Sequence, residues 1–365
     1  MPGSVGIPCL LMRGGTSKGA FFLASDLPAD PGERDDLLLR IMGTPDPRQV
    51  DGLGGAHPLT SKVAVISPSA EAAADVDYLF LQVGVDTAFV TDRQNCGNIL
   101  AAVGPFAVER GLVGASETQT DVRIRMVNTG SLATARFATP GGVVDYDGGP
   151  EAGGAVAIDG VPGRAAPIRL NFEGTAGSST GALFPSGQVC DRVDGVDITC
   201  VDNGMPTVLM RAADLGTTGY EDPADLEADE GLAARLAGLR LAAAELMGMG
   251  DVSGATVPKL VLLAPPRAGG SIATRSFLPV RVHTSIGVLG ALTVAAGIMA
   301  EGSVGHDLAT LPPPGEAFRV EHPTGHFDVE VAMHPTAEGY TVTRSTALRT
   351  ARKIFDGRVF PRPRR

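Results

Sequence analysis

Residues 94–111 read QNCGNILAAVGPFAVERG, and residues 283–302 read HTSIGVLGALTVAAGIMAEG. In each stretch a polar, glycine-containing turn precedes a strongly apolar helical pattern that ends at a glycine, with strand-like segments on both sides. The pattern indicates a weak internal repeat. If the starts of both helices faced one cleft, their free backbone N–H groups would attract carboxylates. Pro105 is expected to kink or break the first helix.

Working outward from these helices, short strand-like segments fill residues 121–172, and residues 174–187 are a Gly/Ser/Thr/Pro stretch that favours a linker. We therefore expect an N-terminal domain over 1–184 and a C-terminal domain over 185–344, with the tail 345–365 packing back on the first domain. Residues 226–249 are expected to form one helix, and residues 348–355 a final helix.

Composition narrows the class of protein. The 365 residues suit two domains, and 44% apolar against 19% charged residues argues against disorder. The net charge of −11 argues against nucleic acid as a partner. No apolar run is long enough to span a membrane. Four cysteines without metal-ligand spacing, and no signal peptide, indicate the cytoplasm.

Cys96 is the strongest local signal for chemistry. It lies at the start of the first predicted helix, between Asn95 and Gly97, where a thiolate is stabilised. Free cysteines are commonly buried structural residues, but the polar and glycine neighbours disfavour an apolar core here. We interpret Cys96 as a proton-transfer group.

Lys62 begins an apolar strand, and lysine is scarce, at four residues against 26 arginines. Desolvation there would favour the neutral amine that a general base requires. An edge-strand lysine reaching into water is the alternative interpretation, and the pattern alone does not decide between them.

Other candidates would bind an anionic substrate or a metal. The turn 13–19 offers Arg13, Thr16 and Ser17 to a carboxylate, although an ordinary turn explains it equally well. His283, Ser285 and the arginines Arg275 and Arg281 are further candidates for anion or oxygen contacts. A metal site at the following three histidines is weakly supported: His322, His326 and His334. Cys190 and Cys200 are expected to be structural.

Five motifs in order are specific to one family: MRGGTSKG at 12–19, LTSKVA at 59–64, NCGN at 95–98, CVDNGMP at 200–206 and HTSIG at 283–287. Over nearly its whole length the chain resembles the PrpF family. The resemblance implies an α/β (α+β), diaminopimelate epimerase-like fold. Each of its two similar domains is then a curled, mostly antiparallel sheet around a central helix, with the active site in the cleft between them.

The resemblance also assigns roles. It implies Lys62 and Cys96 as the catalytic pair, with no cofactor and no metal. The expected substrate is a small polycarboxylate, and a homodimer is possible for such proteins. The substrate-binding set that we expect is Arg13, Thr16, Ser17, Asn95, Gly97, Asn98, Arg275, His283 and Ser285.

One departure from the wider superfamily narrows the reaction. Cofactor-independent epimerases place a cysteine on each side of a stereocentre, whereas the second helix here begins at HTSIG, without cysteine. This disfavours a two-thiol racemase. Within the family, the resemblance implies keto–enol tautomerisation of 4-oxalomesaconate in gallate breakdown. The alternatives are an allylic 1,3-proton shift, isomerisation of an aconitate-like acid, and a non-catalytic accessory protein.

Overall fold

The computed structural model describes residues 6–93, 95–278, 281–313, 316–337 and 339–364. The chain divides into unit 1, Met1–Asn171 with Leu348–Arg365, and unit 2, Phe172–Ala347. The break after Asn171 falls before the boundary that we expected between residues 184 and 185. The break before Leu348 falls after the boundary that we expected between residues 344 and 345. Residues 174–187, interpreted as a linker, belong to unit 2.

Strands and helices alternate along both units. The strands are β1 Ile7–Gly14, β2 Ser17–Leu23, β3 Lys62–Pro68, β4 Val76–Val83, β5 Val90–Thr91, β6 Gln119–Met126, β7 Leu132–Ala138, β8 Pro167–Phe172, β9 Asp191–Val193, β10 Val196–Val201, β11 Thr207–Arg211, β12 Lys259–Ala264, β13 Ile272–Phe277, β14 Phe318–His322, β15 Gly325–Thr336 and β16 Gly339–Val359. The α-helices are α1 Pro31–Met42, α2 Gly97–Leu100, α3 Val103–Glu109, α4 Pro223–Ala228, α5 Glu230–Leu246 and α6 Val288–Met299.

Unit 1 is a sheet in the order β1-β2-β3-β4-β6-β7-β8, and the end of β16 pairs antiparallel with β1. Only the β2–β3 and β4–β6 pairs among these are described as parallel. One face, here called the inner face, contacts α2 and α3, and the rings of Phe21 and Phe106 lie 5.7 Å apart there. The outer face packs against α1 through a buried cluster that includes Phe22, Val63 and Ile41. Side chains that alternate along each strand therefore serve two separate layers.

Unit 2 repeats this plan in the order β9-β10-β11-β12-β13-β14-β15, with the start of β16 next to β15. Its parallel pairs are β11–β12 and β13–β14, which correspond to β2–β3 and β4–β6. The helix α6 contacts β10 and β11, and α5 packs on the opposite face with Leu232 and Leu236. The internal repeat read from the two apolar helices is therefore present in the strand order.

The ends of α1 show how local sequence sets an element. Asp30 caps the helix by accepting a hydrogen bond from the Glu33 backbone N–H at 2.9 Å, and Pro31 occupies the first helical position. Gly43 ends the helix in the left-handed conformation, at φ 82°.

Two expectations about helices need correction, and a third is confirmed. The predicted final helix over 348–355 is wrong, because these residues lie in β16, which pairs with β1 from Gly14↔Ala351 to Ile7↔Val359. The predicted helix over 226–249 is divided between α4 and α5 at Asp229, which caps α5 through its side chain. The first apolar helix breaks between Leu100 and Val103, one turn before Pro105, as its ring requires.

No helix in the described part of the chain has the length and apolar character needed to cross a membrane.

Candidate active site

Lys62 lies on the inner face of unit 1, directly opposite Gln82 in the antiparallel β3–β4 pair. Its side chain is buried, with a residue exposure of 6%. The Nζ atom donates a hydrogen bond to Oε1 of Gln82 at 2.6 Å and lies 5.1 Å from the centre of the Phe80 ring. Within the described residues this amine forms no ion pair, so an amide and an aromatic ring hold it.

The side chain of Gln82 is itself fixed. Its Nε2 group donates to the backbone carbonyl oxygens of Ser61 at 2.9 Å and Pro58 at 3.1 Å. Because carbonyl oxygens accept only, the amide nitrogen must face them and Oε1 must face Lys62. The lysine therefore meets a neutral amide oxygen and not a carboxylate.

Cys96 immediately precedes α2, in extended conformation, and is half-buried. Tyr78, on the same face of β4 as Gln82, donates its hydroxyl to the Cys96 carbonyl oxygen at 3.3 Å. Tyr78 is fully buried, and burial raises the pKa of its phenol well above the usual range, so it remains a donor. One strand thus contacts both residues of the expected catalytic pair.

The turn between β1 and β2 packs closely on the start of α2. A Cβ atom on Gly14 would lie 2.5 Å from the backbone oxygen of Asn98, and one on Gly15 only 2.2 Å from its Oδ1. Gly15 also has φ +51°, a conformation that glycine adopts freely. On β2, a Cβ on Gly19 would meet the Lys62 backbone oxygen at 2.7 Å and Ile99 at 3.3 Å. These glycines bring β3, the turn and the Cys96 segment together.

Three buried polar atoms from the start of β2 and the Cys96 segment have no hydrogen-bond partner among the described residues: Ser17 Oγ, Asn95 Oδ1 and Asn98 Oδ1. The Asn95 side chain is held by its Nδ2, which donates to Thr129 at 2.6 Å. A buried polar group without a partner costs about 1–3 kcal/mol, so such groups rarely cluster without a purpose. Because these atoms belong to the start of β2 and to the residues that flank Cys96 in the chain, these two segments are the candidate place for a polar ligand in unit 1.

In unit 2, His283 and Ser285 lie before α6 and interact with each other. The Ser285 backbone N–H donates to Nδ1 of His283 at 2.9 Å, and Ser285 Oγ lies 3.2 Å from Nε2 of His322. Burial, with a smaller contribution from Lys259, lowers the pKa of His283, so its imidazole is neutral near pH 7. This pair forms a polar group at the start of the second apolar helix, as the repeat predicts.

The remaining expected binding residues lie elsewhere. Arg275 is buried and donates to the backbone oxygens of Glu221 at 2.7 Å and Thr274 at 2.9 Å, so its guanidinium holds the backbone together. Arg13 lies on the outer face of β1 and donates to the Gly15 oxygen and to Thr350. Thr16 faces Gly160, where an added Cβ would be 3.0 Å from its methyl group.

The histidine metal site is not assembled. His322 contacts Ser285 and Thr324, whereas His326 is 4.0 Å from Asp328. Across the described ranges no three His, Cys, Asp or Glu side chains come together in a way that would hold a metal ion.

Three residues escaped the sequence reasoning: Gln82, Tyr78 and Lys259. The first two carry no local signal, because their role depends on the β3–β4 register. Lys259 carried a local signal, because it is one of four lysines and precedes an apolar segment. In the structure it begins β12 opposite Thr207, as Lys62 begins β3 opposite Gly19. Its pKa is lowered by burial and, to a smaller degree, by Arg240.

Known proteins resemble this chain in sequence and in structure. The chain matches the PrpF protein family over residues 4–362. A (4E)-oxalomesaconate Delta-isomerase of Novosphingobium is 54% identical, covering 97% of this chain and 97% of its own. A 4-oxalomesaconate tautomerase of Pseudomonas putida is also 54% identical, covering 98% and 96%. The crystal structure of a methylitaconate-delta-isomerase is 33% identical with a TM-score of 0.87, covering 98% and 96%.

These similarities confirm the predicted fold class and define the protein as an isomerase. Within that class the chain belongs to the PrpF family.

Proposed function

We propose that this protein is a cofactor-independent isomerase that interconverts the keto and enol tautomers of 4-oxalomesaconate, a small polycarboxylate. The observation that carries the proposal is that one strand, β4, contacts Lys62 through Gln82 and Cys96 through Tyr78. The 54% identity to the Pseudomonas putida tautomerase supports the choice of substrate. Four free cysteines support a reducing cytoplasm as its location.

The reaction needs two proton transfers. A carbon between a ketone and a conjugated C=C bond is acidic enough for a positioned base, either the Lys62 amine or the Cys96 thiolate. When that C–H bond breaks, its electron pair moves to the ketone oxygen. The partner then donates a proton to this oxygen and gives the enol. Polar groups near Ser17 and Asn98 would hold the carboxylates and orient the acidic carbon.

A second candidate is an allylic isomerase of the same substrate, because a Delta-isomerase is equally identical to this chain. In that reaction the proton returns to the distal carbon instead of oxygen, and the C=C bond moves by one position. The same residues would serve both reactions, and the position of the returned proton separates them.

The test follows 4-oxalomesaconate by ultraviolet absorbance and by NMR in D2O. Tautomerisation exchanges deuterium into the carbon beside the ketone, whereas an allylic shift places deuterium on the distal carbon. Lys62→Ala and Cys96→Ser should each lower kcat by about a hundredfold or more, the scale of a lost acid or base. Lys353→Ala and Cys190→Ser, exposed residues of the same types, should keep normal turnover. Normal turnover by Lys62→Ala or Cys96→Ser would remove that residue from the mechanism.

A further inference from the structure

Unit 1 contains a polar cavity of about 160 Å³, which neither Lys62 nor Cys96 lines. The residues that line it include Arg13 on β1, Thr350 and Arg352 on β16, and Arg164 in the loop 146–165. Gly14 contacts α2 on the inner face, and side chains alternate along a strand, so the neighbouring Arg13 points to the outer face. The cavity therefore lies on the other side of the sheet from the expected catalytic pair.

Two of these arginines are placed where like charges repel. Arg13 and Arg352 are directly opposite each other in the antiparallel β1–β16 pair, an arrangement that is unfavourable without a counter-charge. Burial and the proximity of Arg352 both lower the pKa of Arg13. Asp147 is the single carboxylate of the lining, against three guanidinium groups.

The hydrogen bonds of these arginines leave capacity for a ligand. Arg13 donates from one nitrogen to the Gly15 oxygen at 2.9 Å and to Thr350 Oγ1 at 2.8 Å, while Arg164 donates to the Ala155 oxygen. In the described part of the chain Arg352 has no hydrogen bond or ion pair from its side chain. Elsewhere arginines on strands of unit 1 pair with aspartates, as Arg136 does with Asp121 and Arg123 with Asp75.

We propose that this cavity is an anion-binding site for a small oxyanion with at least two negative charges. A guanidinium donates two parallel hydrogen bonds to such a group, and three of them around one cavity give the charge that a dianion or trianion requires. Inorganic phosphate and a small polycarboxylate share this chemistry.

An anion bound in this cavity would affect the inner face of the sheet through Arg13. Arg13 also donates to the backbone oxygen of Gly15, and Gly15 lies against Asn98 beside Cys96. An anion that fixes Arg13 therefore fixes the β1–β2 turn as well. This makes the cavity a place where an anion stabilises the protein without entering the catalytic site.

The test is isothermal titration calorimetry with sodium phosphate and with sodium citrate, at constant ionic strength set by chloride. The proteins are the wild type, Arg352→Gln, the double variant Arg164→Gln/Arg352→Gln and the control Arg235→Gln. Arg235 is exposed on α5, so its replacement removes the same charge far along the chain from the cavity. A thermal-shift series in the same buffers gives an independent readout and shows that each variant is folded.

We expect at least one of the two anions to bind the wild type and Arg235→Gln equally, and to bind the double variant about tenfold or more weakly. The same anion should raise the melting temperature of the wild type but not of the double variant. Loss of phosphate binding alone assigns phosphate, and loss of citrate binding alone assigns a polycarboxylate. Unchanged binding of both anions by the double variant, or no binding by the wild type, would overturn the proposal.

Discussion

The contact between Lys62 and Gln82 pairs the amine with a neutral side chain whose charge one substitution can change. An amide accepts a hydrogen bond from either the ammonium or the amine, whereas a carboxylate strongly favours the ammonium. With Lys62 as the base, Gln82→Glu should therefore move the acid limb of the kcat–pH profile upward by about one unit or more and reduce turnover near pH 7. The measurement is kcat over the range from about pH 5 to about pH 10.

Two further variants make this test specific. Gln188→Glu adds the same charge at an exposed position in unit 2 and should leave the profile unchanged. Gln82→Met removes the acceptor without adding charge, so it should lower kcat without an upward shift. An identical profile for Gln82→Glu and the wild type would show that Gln82 does not control the lysine.

The four cysteines differ in reactivity for physical reasons. Burial raises the pKa of Cys9 and of Cys200 to about 12, so near pH 8 only about one in ten thousand of these thiols is ionised. Cys96 is half-buried beside the helix start. In a Cys190→Ser background, iodoacetamide should alkylate Cys96 alone, with activity lost in step.

Peptide mass spectrometry after partial alkylation measures this selectivity, and denatured protein provides the reference in which all thiols react. Alkylation of Cys9 or Cys200 in the folded protein at the rate of Cys96 would contradict the assignment.

At the scale of elements, the fit between the β1–β2 turn and α2 depends on Gly15. Gly15→Ala places a methyl group against Asn98 Oδ1 and forces alanine into a left-handed conformation. We expect a loss of about 2–4 kcal/mol in the free energy of unfolding and a fall in kcat, because the turn must move away from the helix.

Gly111→Ala is the matched control. Gly111 has φ +69°, yet nothing lies within 4 Å of an added Cβ, so only the conformational cost of about 1 kcal/mol applies. Urea unfolding of both variants separates the two contributions. Equal losses would show that the close contact with Asn98 is unimportant.

Some elements are readable from sequence and others depend on partners that the sequence does not show. The pattern at 287–300 predicted α6 closely, because a long apolar run bounded by glycines is typical of a buried helix. Residues 348–355 carry good helix formers, but β1 supplies a hydrogen-bonding edge that outweighs local preference.

The same contrast applies to the candidate site. Cys96 and Lys62 stand in recognisable motifs, while Gln82 and Tyr78 acquire their roles only through strand register. Arg13 was placed with the catalytic pair because it is adjacent in sequence to the turn. Side chains alternate along β1, so the side chain of Arg13 lies on the outer face.

At the scale of the whole molecule, charge governs the encounter with substrate. The protein carries a formal net charge of −11, and a polycarboxylate is repelled at long range. Screening by salt removes this repulsion, so kcat/KM should rise with KCl up to about 0.15 M, where the Debye length is about 8 Å.

The effect should appear in kcat/KM and leave kcat nearly constant, because screening acts before the substrate is bound. Steady-state kinetics at several KCl concentrations measures it. A fall in kcat/KM with salt would mean that local positive groups, and not the net charge, dominate the approach.

The matching strand order of the two units has an evolutionary consequence. Two halves that share connectivity and the positions of their parallel pairs are what duplication and fusion of a half-length ancestral gene leave behind. Two such copies can diverge in sequence, and here Cys96 precedes α2 whereas Ser285, with no cysteine near it, precedes α6.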